Sequence, residues 1–300
     1  MTDTLFDMKI KAIAPWAGSK RKGADDIVIE LGPHRAFWDP FCGSLAPLLA
    51  KEPSTFETVN DLHGDLINLA RVLAMESAAV DLYGKLSRFL MHEDLFHEAA
   101  ARFRSRGHQR ATDEVDVQRA LDFFICSWMG RNGVAGTESY NQGFCVRYTK
   151  NGGHAATRFL SCVESIPAWH QRLRAVTILN RDGFELLARI EDADGVCLYC
   201  DPPYLKKGFR YVHDFGDGTK GALDDHARLA GLLRRFKKTR VVVSYYDDPR
   251  LVELYPGWTI RKIFTTKAMA SQNQRGRSGE AVVAPEVLII NGPSYATPTD

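Results

Sequence analysis

The sequence has no long hydrophobic run. Its 300 residues contain no stretch of about 18 apolar residues, the length at which an apolar segment is read as a membrane-spanning helix. Met1–Ile10 also lacks the charged start and apolar stretch of a secretory leader. From these absences we expect a soluble, cytoplasmic protein that is not secreted and makes no membrane contact.

Cysteine is scarce: there are six, with no spacing typical of a disulfide framework. We therefore expect reduced thiols, as in cytosolic proteins. Cys197 and Cys200 form a C-x-x-C, a spacing that also occurs at zinc and redox sites. On the strand predicted there, residues three apart point to opposite faces of the sheet. We therefore expect no metal site at this pair, and no metal cofactor.

The chain has little charge of either sign in excess. Its 39 Lys and Arg residues against 37 Asp and Glu residues leave a net charge of +2. A field this weak cannot attract a polyanion to the whole molecule, so any nucleic acid has to be held by local basic patches. Apolar residues make up 45% of the chain, and no internal repeat is present. Length and composition favour one large domain, or one domain with an insertion.

Strand patterns alternate with helical patterns along most of the chain, for example a helical pattern at Asp61–Ala74. This alternation predicts an α/β fold with a mostly parallel sheet covered on both faces. No helix is evident between the last two strands, so we expect an antiparallel terminal pair there. The predicted strands are Ala36–Asp39, Phe56–Asn60, Ala175–Asn180, Val196–Cys200, Arg240–Tyr245, Thr259–Thr265 and Glu286–Asn291.

Residues 76–174 interrupt this alternation. They carry helical patterns and then become polar and glycine-rich from Gly130 to Gly153. Phe144–Tyr148, followed by Thr-Lys-Asn-Gly-Gly, predicts a strand that runs into a β-hairpin turn. We divide the chain into an α/β domain, residues 1–75 and 175–300, and an inserted domain, residues 76–174. The tail Pro293–Asp300 is expected to fray.

The most informative motif is Asp201-Pro202-Pro203-Tyr204, which directly follows the apolar strand Val196–Cys200. The motif leaves the sheet at its carboxyl edge, where ligands bind in open α/β sheets. Proline fixes φ and removes a backbone donor. The turn therefore offers a carboxylate, a stiff carbonyl and a flat ring, which suit a planar substrate with an exocyclic amine. The alternative is a structural proline-rich turn.

Two other segments are predicted to reach the same edge. The first strand leads into Asp39–Ser44, with a glycine at Gly43, and the second ends at Asn60-Asp61. An acid at the end of a second strand commonly accepts hydrogen bonds from ribose hydroxyls. Gly43 is a lone glycine with no G-x-G-x-x-G around it, so a nucleoside cofactor without a pyrophosphate fits better than a dinucleotide.

Taken in order, these segments resemble the Dam-like, or alpha-group, family of adenine-specific DNA N6-methyltransferases. The resemblance extends from about Ile13 to Asn291 and implies a Rossmann-like, S-adenosylmethionine-dependent methyltransferase sheet. It also implies that residues 76–174 form a mainly helical target-recognition domain with a β-hairpin. The segments that carry it are Trp16–Lys20, Asp39–Gly43, Asn60-Asp61, Asp182–Phe184, Asp201–Tyr204 and Pro285–Asn291.

The resemblance implies roles at matching positions for the methyl donor and the target base. Asp61 would hold the ribose, Asp182 would accept from the cofactor adenine amine, and Lys20 would lie near the methionine carboxylate. Asp201, Pro202, Pro203 and Tyr204 would hold the target adenine, flipped out of duplex DNA; relatives that act on cytosine N4 usually carry Ser at position 201. The remaining cofactor positions implied are Trp16, Ala17, Phe41, Gly43, Phe184 and Asp201 itself.

One position departs from the family pattern. The family usually has a second glycine two positions after the first, whereas this chain has Leu45. Leu45 either packs beneath the loop or narrows the methionine pocket and weakens cofactor binding.

Three basic groups are candidate DNA contacts. The first group lies around the proposed hairpin and consists of Arg131, Arg147, Lys150 and Arg158. We interpret this hairpin as a β-ribbon that reads the major groove; the alternative is a mobile surface loop. The second group directly follows the catalytic turn, Asp201–Tyr204, and consists of Lys206, Lys207 and Arg210. These residues lie on the loop Leu205–Gly221, which we interpret as a lid that orders on DNA. A third run, from Arg102 to Arg110, is either a solvated helix end or a phosphate contact.

The sequence thus favours a site-specific adenine methyltransferase that acts on double-stranded DNA. The alternatives are a methyltransferase of RNA adenine, and a DNA-binding relative with impaired catalysis. We further expect a monomer or weak dimer, association with the nucleoid through DNA, and a restriction endonuclease as a candidate partner.

Overall fold

A computed structural model describes residues 10–130, 143–146, 154–205, 211–215, 222–266 and 283–296. The strands found there are β1 (Ala36–Asp39), β2 (Phe56–Asn60), β3 (Thr177–Leu179), β4 (Val196–Cys200), β5 (Arg240–Tyr246), β6 (Thr259–Thr266) and β7 (Val283–Ile290). The helices are α1 (Ala24–Leu31), α2 (Ala46–Ala50), α3 (Gly64–Ala74), α4 (Glu76–Leu86), α5 (Glu93–Arg106), α6 (Val117–Met129), α7 (Ala155–Glu164), α8 (Ile166–Leu173), α9 (Gly183–Arg189), α10 (Ala222–Leu233) and α11 (Arg250–Leu254). A short 3-10 helix, Lys20–Lys22, precedes α1.

The seven strands form one sheet in the order β3-β2-β1-β4-β5-β7-β6. From β3 to β5 neighbouring strands run parallel, and β7 runs antiparallel to both β5 and β6. The predicted α/β class, with a mostly parallel sheet and an antiparallel terminal pair, is confirmed. Strand order reverses between β1 and β4, and the carboxyl ends of these two strands therefore open a crevice of the kind that binds ligands.

The central strands are buried on both faces, which explains their continuous apolar sequences. Val241, Val242 and Val243 of β5 are fully buried. Cys197 and Cys200 of β4 pack into different hydrophobic clusters, so they face opposite sides of the sheet as predicted. All six cysteines are free. In the part of the chain that the structure describes, no helix is both long and apolar enough to cross a bilayer.

The inserted helices share a hydrophobic core with the sheet. Trp128 of α6 and Trp169 of α8 are both buried and belong to the cluster that contains Phe37 of β1. Each indole also anchors the segment that leads to Trp16. Trp128 Nε1 donates to the Ile13 carbonyl at 3.2 Å, and Trp169 Nε1 donates to the Ile10 carbonyl at 2.8 Å. The division into residues 1–75 with 175–300, and 76–174, stays a prediction.

The start of the proposed hairpin is described only in part. Phe144 forms an antiparallel bridge with Gly130, and the Cys145 N–H donates to the Met129 carbonyl at 2.8 Å. The predicted turn at residues 149–153 lies outside the described residues.

The basic run from Arg102 to Arg110 has an explanation that differs from both alternatives considered above. Arg102 Nε and Arg106 Nη1 donate to the two oxygens of Asp122, at 2.9 and 2.7 Å. Asp122 is fully buried, and a buried carboxylate without partners is costly. Arg110 donates to the Asn180 carbonyl. Arg102 and Arg106 therefore hold α5 to α6, and Arg110 ties the chain after α5 to the residue that follows β3.

The prediction of a frayed tail is wrong for its first residues. Ser294 Oγ donates to Glu30 Oε1 at 2.5 Å, and the Tyr295 N–H donates to Glu30 Oε2 at 2.9 Å. The Arg240 guanidinium lies 3.9 Å from the centre of the Tyr295 ring. A buried glutamate of α1 thus fixes the chain after β7. Residues 297–300 lie outside the described residues.

Candidate active site

A cavity of about 260 Å³ opens at the carboxyl edge of the parallel strands. It begins beside the loop after β1, passes the end of β2, and reaches the turn after β4. Most of the residues that the sequence predicts for a cofactor line it: Trp16, Ala17, Phe41, Gly43, Asp61, Asp182, Phe184 and Asp201, together with Pro203 of the catalytic turn. One continuous space therefore joins the predicted nucleoside site to the predicted base site.

The Asp201 carboxylate has one engaged oxygen and one unengaged oxygen. Oδ2 forms an ion pair with Lys20 Nζ at 2.9 Å. Oδ1 is buried and accepts no hydrogen bond within 3.5 Å from any described residue, although the Tyr204 hydroxyl also favours the ionised carboxylate. A buried acceptor without a donor is unfavourable in the free protein, and a ligand with an N–H group can relieve this cost.

Aromatic rings form one wall around the catalytic turn. The Tyr204 ring meets Tyr246 edge to face, with ring centres 4.6 Å apart, and Tyr245 lies at 5.7 Å. Lys20 Nζ lies 4.9 Å from the centre of the Tyr204 ring. Ser244 Oγ lies 2.7 Å from the Tyr199 hydroxyl at the base of the wall.

The loop after β1 is bound to the end of β2 through Asp61. Asp61 Oδ2 accepts the Gly43 N–H at 3.0 Å, and Oδ1 accepts the His63 N–H at 2.9 Å. Gly43 has a φ of +46°, and a Cβ at this position would lie 3.0 Å from the Trp16 ring. Glycine is needed here both for the backbone conformation and for the close approach of the indole.

A second acidic residue, Asp182, lies at the start of α9. Its Oδ1 accepts the N–H groups of Phe184 and Glu185, at 2.9 and 3.0 Å, which caps the helix. Both bonds go to Oδ1, so Oδ2 stays available to a ligand. A Cβ on Gly183 would lie 2.6 Å from the Phe41 ring, so glycine lets this ring pack against the helix start.

Comparison with known proteins decides what this cavity belongs to. Residues 16–272 match the family model described as D12 class N6 adenine-specific DNA methyltransferase. The chain belongs to this family. It is also 27% identical over 277 residues to the DNA adenine methylases of two Vibrio cholerae serotype O1 strains, with 90% of this chain and 93% of each relative covered. The resemblance found in the sequence is confirmed, as are adenine methylation of DNA and, through the family, S-adenosylmethionine as methyl donor.

The cavity of this methyltransferase fits S-adenosylmethionine. The Gly43 and Gly183 positions leave space that a Cβ would fill beside Trp16 and Phe41. Asp61 is fixed by two backbone N–H groups at the position expected for a ribose acceptor, and Asp182 retains one oxygen for an exocyclic amine.

Lys20 differs from the other predicted cofactor residues in its position. It does not belong to the described lining of the cavity but lies on the base side, with Nζ on Asp201 and 2.6 Å from the Gly18 carbonyl. The predicted contact with the methionine carboxylate stays a prediction.

Three residues that no sequence motif identified contribute to the nucleoside end of the cavity. The Phe215 ring lies 5.2 Å from Phe184 and 6.0 Å from Phe41. The Arg228 guanidinium lies 4.4 Å from the centre of Phe184, and Asp225 lines the cavity beside it. A single phenylalanine within a polar stretch was the only sequence signal for Phe215.

Two residues of the predicted lid also line the cavity. The Tyr211 hydroxyl donates to the Ala17 carbonyl at 3.2 Å, and the His213 ring lies 6.2 Å from His63. His213 therefore packs against His63. Residues 211–215 therefore contact Ala17 through Tyr211, and Phe41 and Phe184 through Phe215.

Leu45 packs beneath the loop and does not enter the described part of the cavity. Its side chain is fully buried in the main hydrophobic cluster. Its backbone, at φ +64°, adopts the left-handed conformation that a glycine would adopt freely. The loop thus keeps the glycine-type turn while adding a leucine to the core.

We expect Leu45→Gly to destabilise the protein by up to about 4 kcal/mol. Loss of a buried leucine costs about 2–5 kcal/mol, and relief of the left-handed backbone returns about 1–2 kcal/mol. Urea denaturation measures the change, and the Kd for S-adenosylmethionine should not move because Leu45 does not line the described cavity. A more stable glycine variant would show that backbone strain outweighs packing here.

The basic residues proposed for DNA are mostly outside the described residues. This applies to Arg131, Arg147, Lys150, Lys206, Lys207 and Arg210. Arg158 is described: it is exposed on α7, and its charge helps to lower the pKa of Arg21, after the larger effect of burial. Positive charge therefore accumulates where α7 approaches the 3-10 helix that carries Lys20.

Burial dominates the electrostatics of the catalytic turn. It raises the pKa of Asp201 to about 6, although the Lys20 ammonium acts in the opposite direction. It also raises the pKa of Asp39 well above its usual range, with a further contribution from Asp201. Burial, with the nearby His213 and His108, lowers the pKa of His63 to about 3, so this imidazole is neutral at physiological pH.

We expect kcat/KM for DNA to fall tenfold per pH unit below about pH 6. The raised pKa means that Asp201 becomes protonated there, and a protonated carboxyl oxygen loses its capacity to accept the target amine. Incorporation of labelled methyl groups into DNA, measured from pH 5 to 9, gives the profile. A rate that stays flat down to pH 5 would contradict the need for ionised Asp201.

One group among the described residues could supply three metal ligands. His63, Asp65 and His108 each bring one ligand atom within 4.8 Å of the others. Two of them already have partners: Asp65 Oδ1 accepts from Arg119 Nε at 2.7 Å, and His63 Nδ1 accepts the Leu66 N–H at 3.3 Å. The metal-free enzyme stays a prediction.

Proposed function

We propose that this enzyme methylates N6 of an adenine that has been turned out of duplex DNA, at one short recognition sequence, and that Asp201 grips the amine. The observation that supports this proposal best is the buried Oδ1 of Asp201, which accepts no hydrogen bond from any described residue. It lies at the base end of a cavity whose other end fits a nucleoside.

The chemical difficulty lies in the nucleophile, because the N6 lone pair is delocalised into the purine ring. When bound, S-adenosylmethionine supplies an electrophilic methyl group on a sulfonium. Asp201 Oδ1 accepts one N6 hydrogen and the Pro202 carbonyl accepts the other, which moves the amine toward tetrahedral geometry. This positioning and preorganised polarity supplies several kcal/mol of the required barrier reduction.

The depth of Asp201 Oδ1 supports a base that leaves the helix. Asp201 Oδ1 is buried at the edge of the sheet, so an adenine that stays stacked in a duplex cannot reach it. Extrusion costs a few kcal/mol of stacking and pairing. The Tyr204 ring, supported by Tyr245 and Tyr246, offers a new stacking surface to the extruded base.

For the methyl donor we propose the contacts implied by the family. Asp61 binds the ribose hydroxyls, Asp182 Oδ2 accepts the adenine amine, and Phe184 packs beside that ring. Trp16, Ala17, Phe41 and Gly43 surround the methionine end.

The DNA contacts are proposed at two places. Arg158, with Arg131, Arg147 and Lys150 of the predicted hairpin, contacts the duplex from the inserted residues. Lys206, Lys207 and Arg210 contact the strand that carries the target. Residues 76–174 thus form the proposed target-recognition domain, and residues 1–75 and 175–300 the catalytic domain. The monomer or weak dimer, the endonuclease partner and the nucleoid association stay predictions.

The test uses plasmid DNA from a methylation-free host that expresses this chain. We expect 6-methyladenine at one short motif in all copies. Methyl label found only in RNA would favour the RNA methyltransferase, and DNA binding without product would favour the impaired relative. Base extrusion is tested separately with 2-aminopurine at the target position, whose fluorescence should rise on binding.

A further inference from the structure

Glu286 lies at the catalytic edge although it belongs to the antiparallel strand β7. Its Cα pairs with Tyr246 of β5 and with Ile263 of β6. Because side chains alternate along a strand, it shares a face with Leu288 and Ile290, which are fully buried. Glu286 itself is only 8% exposed. A carboxylate at a position suited to an apolar residue needs a charged partner.

Lys20 is the partner, and it is shared. Its Nζ lies 3.9 Å from Glu286 Oε1 and 2.9 Å from Asp201 Oδ2. Lys20 is 4% exposed, so water does not screen this arrangement well. The ammonium is therefore hydrogen-bonded to one carboxylate while a second lies within ion-pair distance.

The arrangement carries an uneven charge. Two carboxylates face one ammonium, and both raise the pKa of Lys20 against the effect of burial. Lys20 therefore stays charged, and moving it from Asp201 toward Glu286 exchanges one anionic partner for another. Without Glu286, the same movement would leave a buried ammonium with no other carboxylate within ion-pair distance among the described residues.

We propose that Glu286 is a positioning residue of the base pocket: it shares Lys20 with Asp201 and so lets the ammonium shift from Asp201 Oδ2 toward Glu286 when Oδ1 accepts the target amine. This inference rests on the proposed function, because it assumes that an extruded adenine is gripped by Asp201. Glu286 acts through Lys20 and touches neither substrate in this scheme.

The proposal has a signature in the pH profile. Among the described residues, the charged groups that act on the pKa of Asp201 are Lys20 and Glu286. Burial raises the pKa of its other titratable neighbours. Those neighbours are Asp39, Tyr199, Cys200, Tyr204, Tyr211, Tyr245 and Tyr246. The Glu286 carboxylate raises the pKa of Asp201, so its removal lowers that pKa.

The experiment compares the wild type, Glu286→Gln and Glu286→Asp from pH 5 to 9, by methyl incorporation into methylation-free plasmid DNA. Glu253→Gln, an exposed residue of α11, makes the same charge change as a control. We expect the acid limb of Glu286→Gln to move to lower pH by about 0.5 to 2 units, for charges less than about 7 Å apart. Glu286→Asp should move it less, in the same direction.

Two further measurements distinguish a positioning role of Glu286 from a loss of packing. At pH 8, kcat/KM for DNA should fall in Glu286→Gln while the Kd for S-adenosylmethionine and the unfolding midpoint stay unchanged. Because the acid limb moves down, the ratio of variant to wild-type rate should rise as the pH is lowered. Simple loss of packing would lower the rate equally at every pH.

Wild-type profiles in both variants would overturn the inference. If Glu286→Gln does not fold, Glu286→Asp decides alone, and an acid limb at the wild-type position overturns it. Wild-type protein that yields no 6-methyladenine at any pH overturns the proposed function, and this inference with it. If the wild type is active and the acid limbs of both variants lie at the wild-type pH, only the proposed role of Glu286 is overturned.

Discussion

Asp201→Ala is expected to lower kcat for DNA methylation by about a thousandfold or more, as expected for the loss of a preorganised group that acts on the reacting centre. The substitution removes the only charged acceptor of the target amine in our scheme and leaves the Pro202 carbonyl alone. The Kd for S-adenosylmethionine should stay within about tenfold of the wild type, because the carboxylate acts on the other substrate. Single-turnover methyl transfer and calorimetric cofactor binding measure the two effects.

The fold should survive this substitution. Lys20 loses its nearest anion but keeps the Gly18 carbonyl at 2.6 Å and Glu286 at 3.9 Å. Asp201→Asn preserves the shape of the turn and should also be inactive, because its neutral amide cannot replace the carboxylate. Near-normal turnover in either variant would refute the assignment of Asp201.

Asp61→Ala should weaken S-adenosylmethionine binding by about a hundredfold, since loss of a charged hydrogen-bond partner costs about 1.5–3 kcal/mol. Asp61 accepts the Gly43 and His63 N–H groups, so its loss also releases the loop that borders the cavity. Calorimetry with the cofactor alone measures the effect without DNA.

Asp192→Ala is a matched control for this substitution. Asp192 likewise accepts backbone N–H groups, those of Lys237, Lys238 and Thr239, but it does not line the described cavity. Its removal should reduce stability and leave the cofactor Kd unchanged. Equal losses of affinity in the two variants would show that Asp61 acts only through the fold.

The parts of the fold that depend on local pattern were predictable from the sequence. Apolar runs such as Val196–Cys200 and Arg240–Tyr246 are long enough and uniform enough to identify buried parallel strands. The antiparallel pair followed from the missing helix between β6 and β7. The position of β7 between β5 and β6 did not follow, because no local signal specifies which neighbour a terminal strand pairs with.

At the site, residues that belong to sequence motifs were easier to assign than contacts between residues that only the fold brings together. Asp61, Asp182 and Asp201 reach one cavity because parallel strands end at one edge. The ion pair of Lys20 with Asp201 joins residues far apart in the chain, and so does the packing of Phe215 on Phe41. Such pairings depend on loop paths that a sequence pattern does not define.

The same limit explains the basic run in α5. From sequence alone, Arg102 and Arg106 differ little from surface residues of a helix end. Their partner Asp122 lies one helix later, and its complete burial is visible only once α5 packs on α6. A lone aspartate within an apolar helix is the signal that sequence analysis could have used.

The two indole hydrogen bonds to Ile10 and Ile13 affect how the specificity of this enzyme can be re-engineered. They attach the segment leading to Trp16 and Lys20 to helices of the inserted residues. A chimera that exchanges residues 76–174 for those of a relative would therefore disturb the methylation centre as well. Such a graft should include residues 10–14 from the same donor, so that the tryptophans and the backbone they hold are exchanged as one unit.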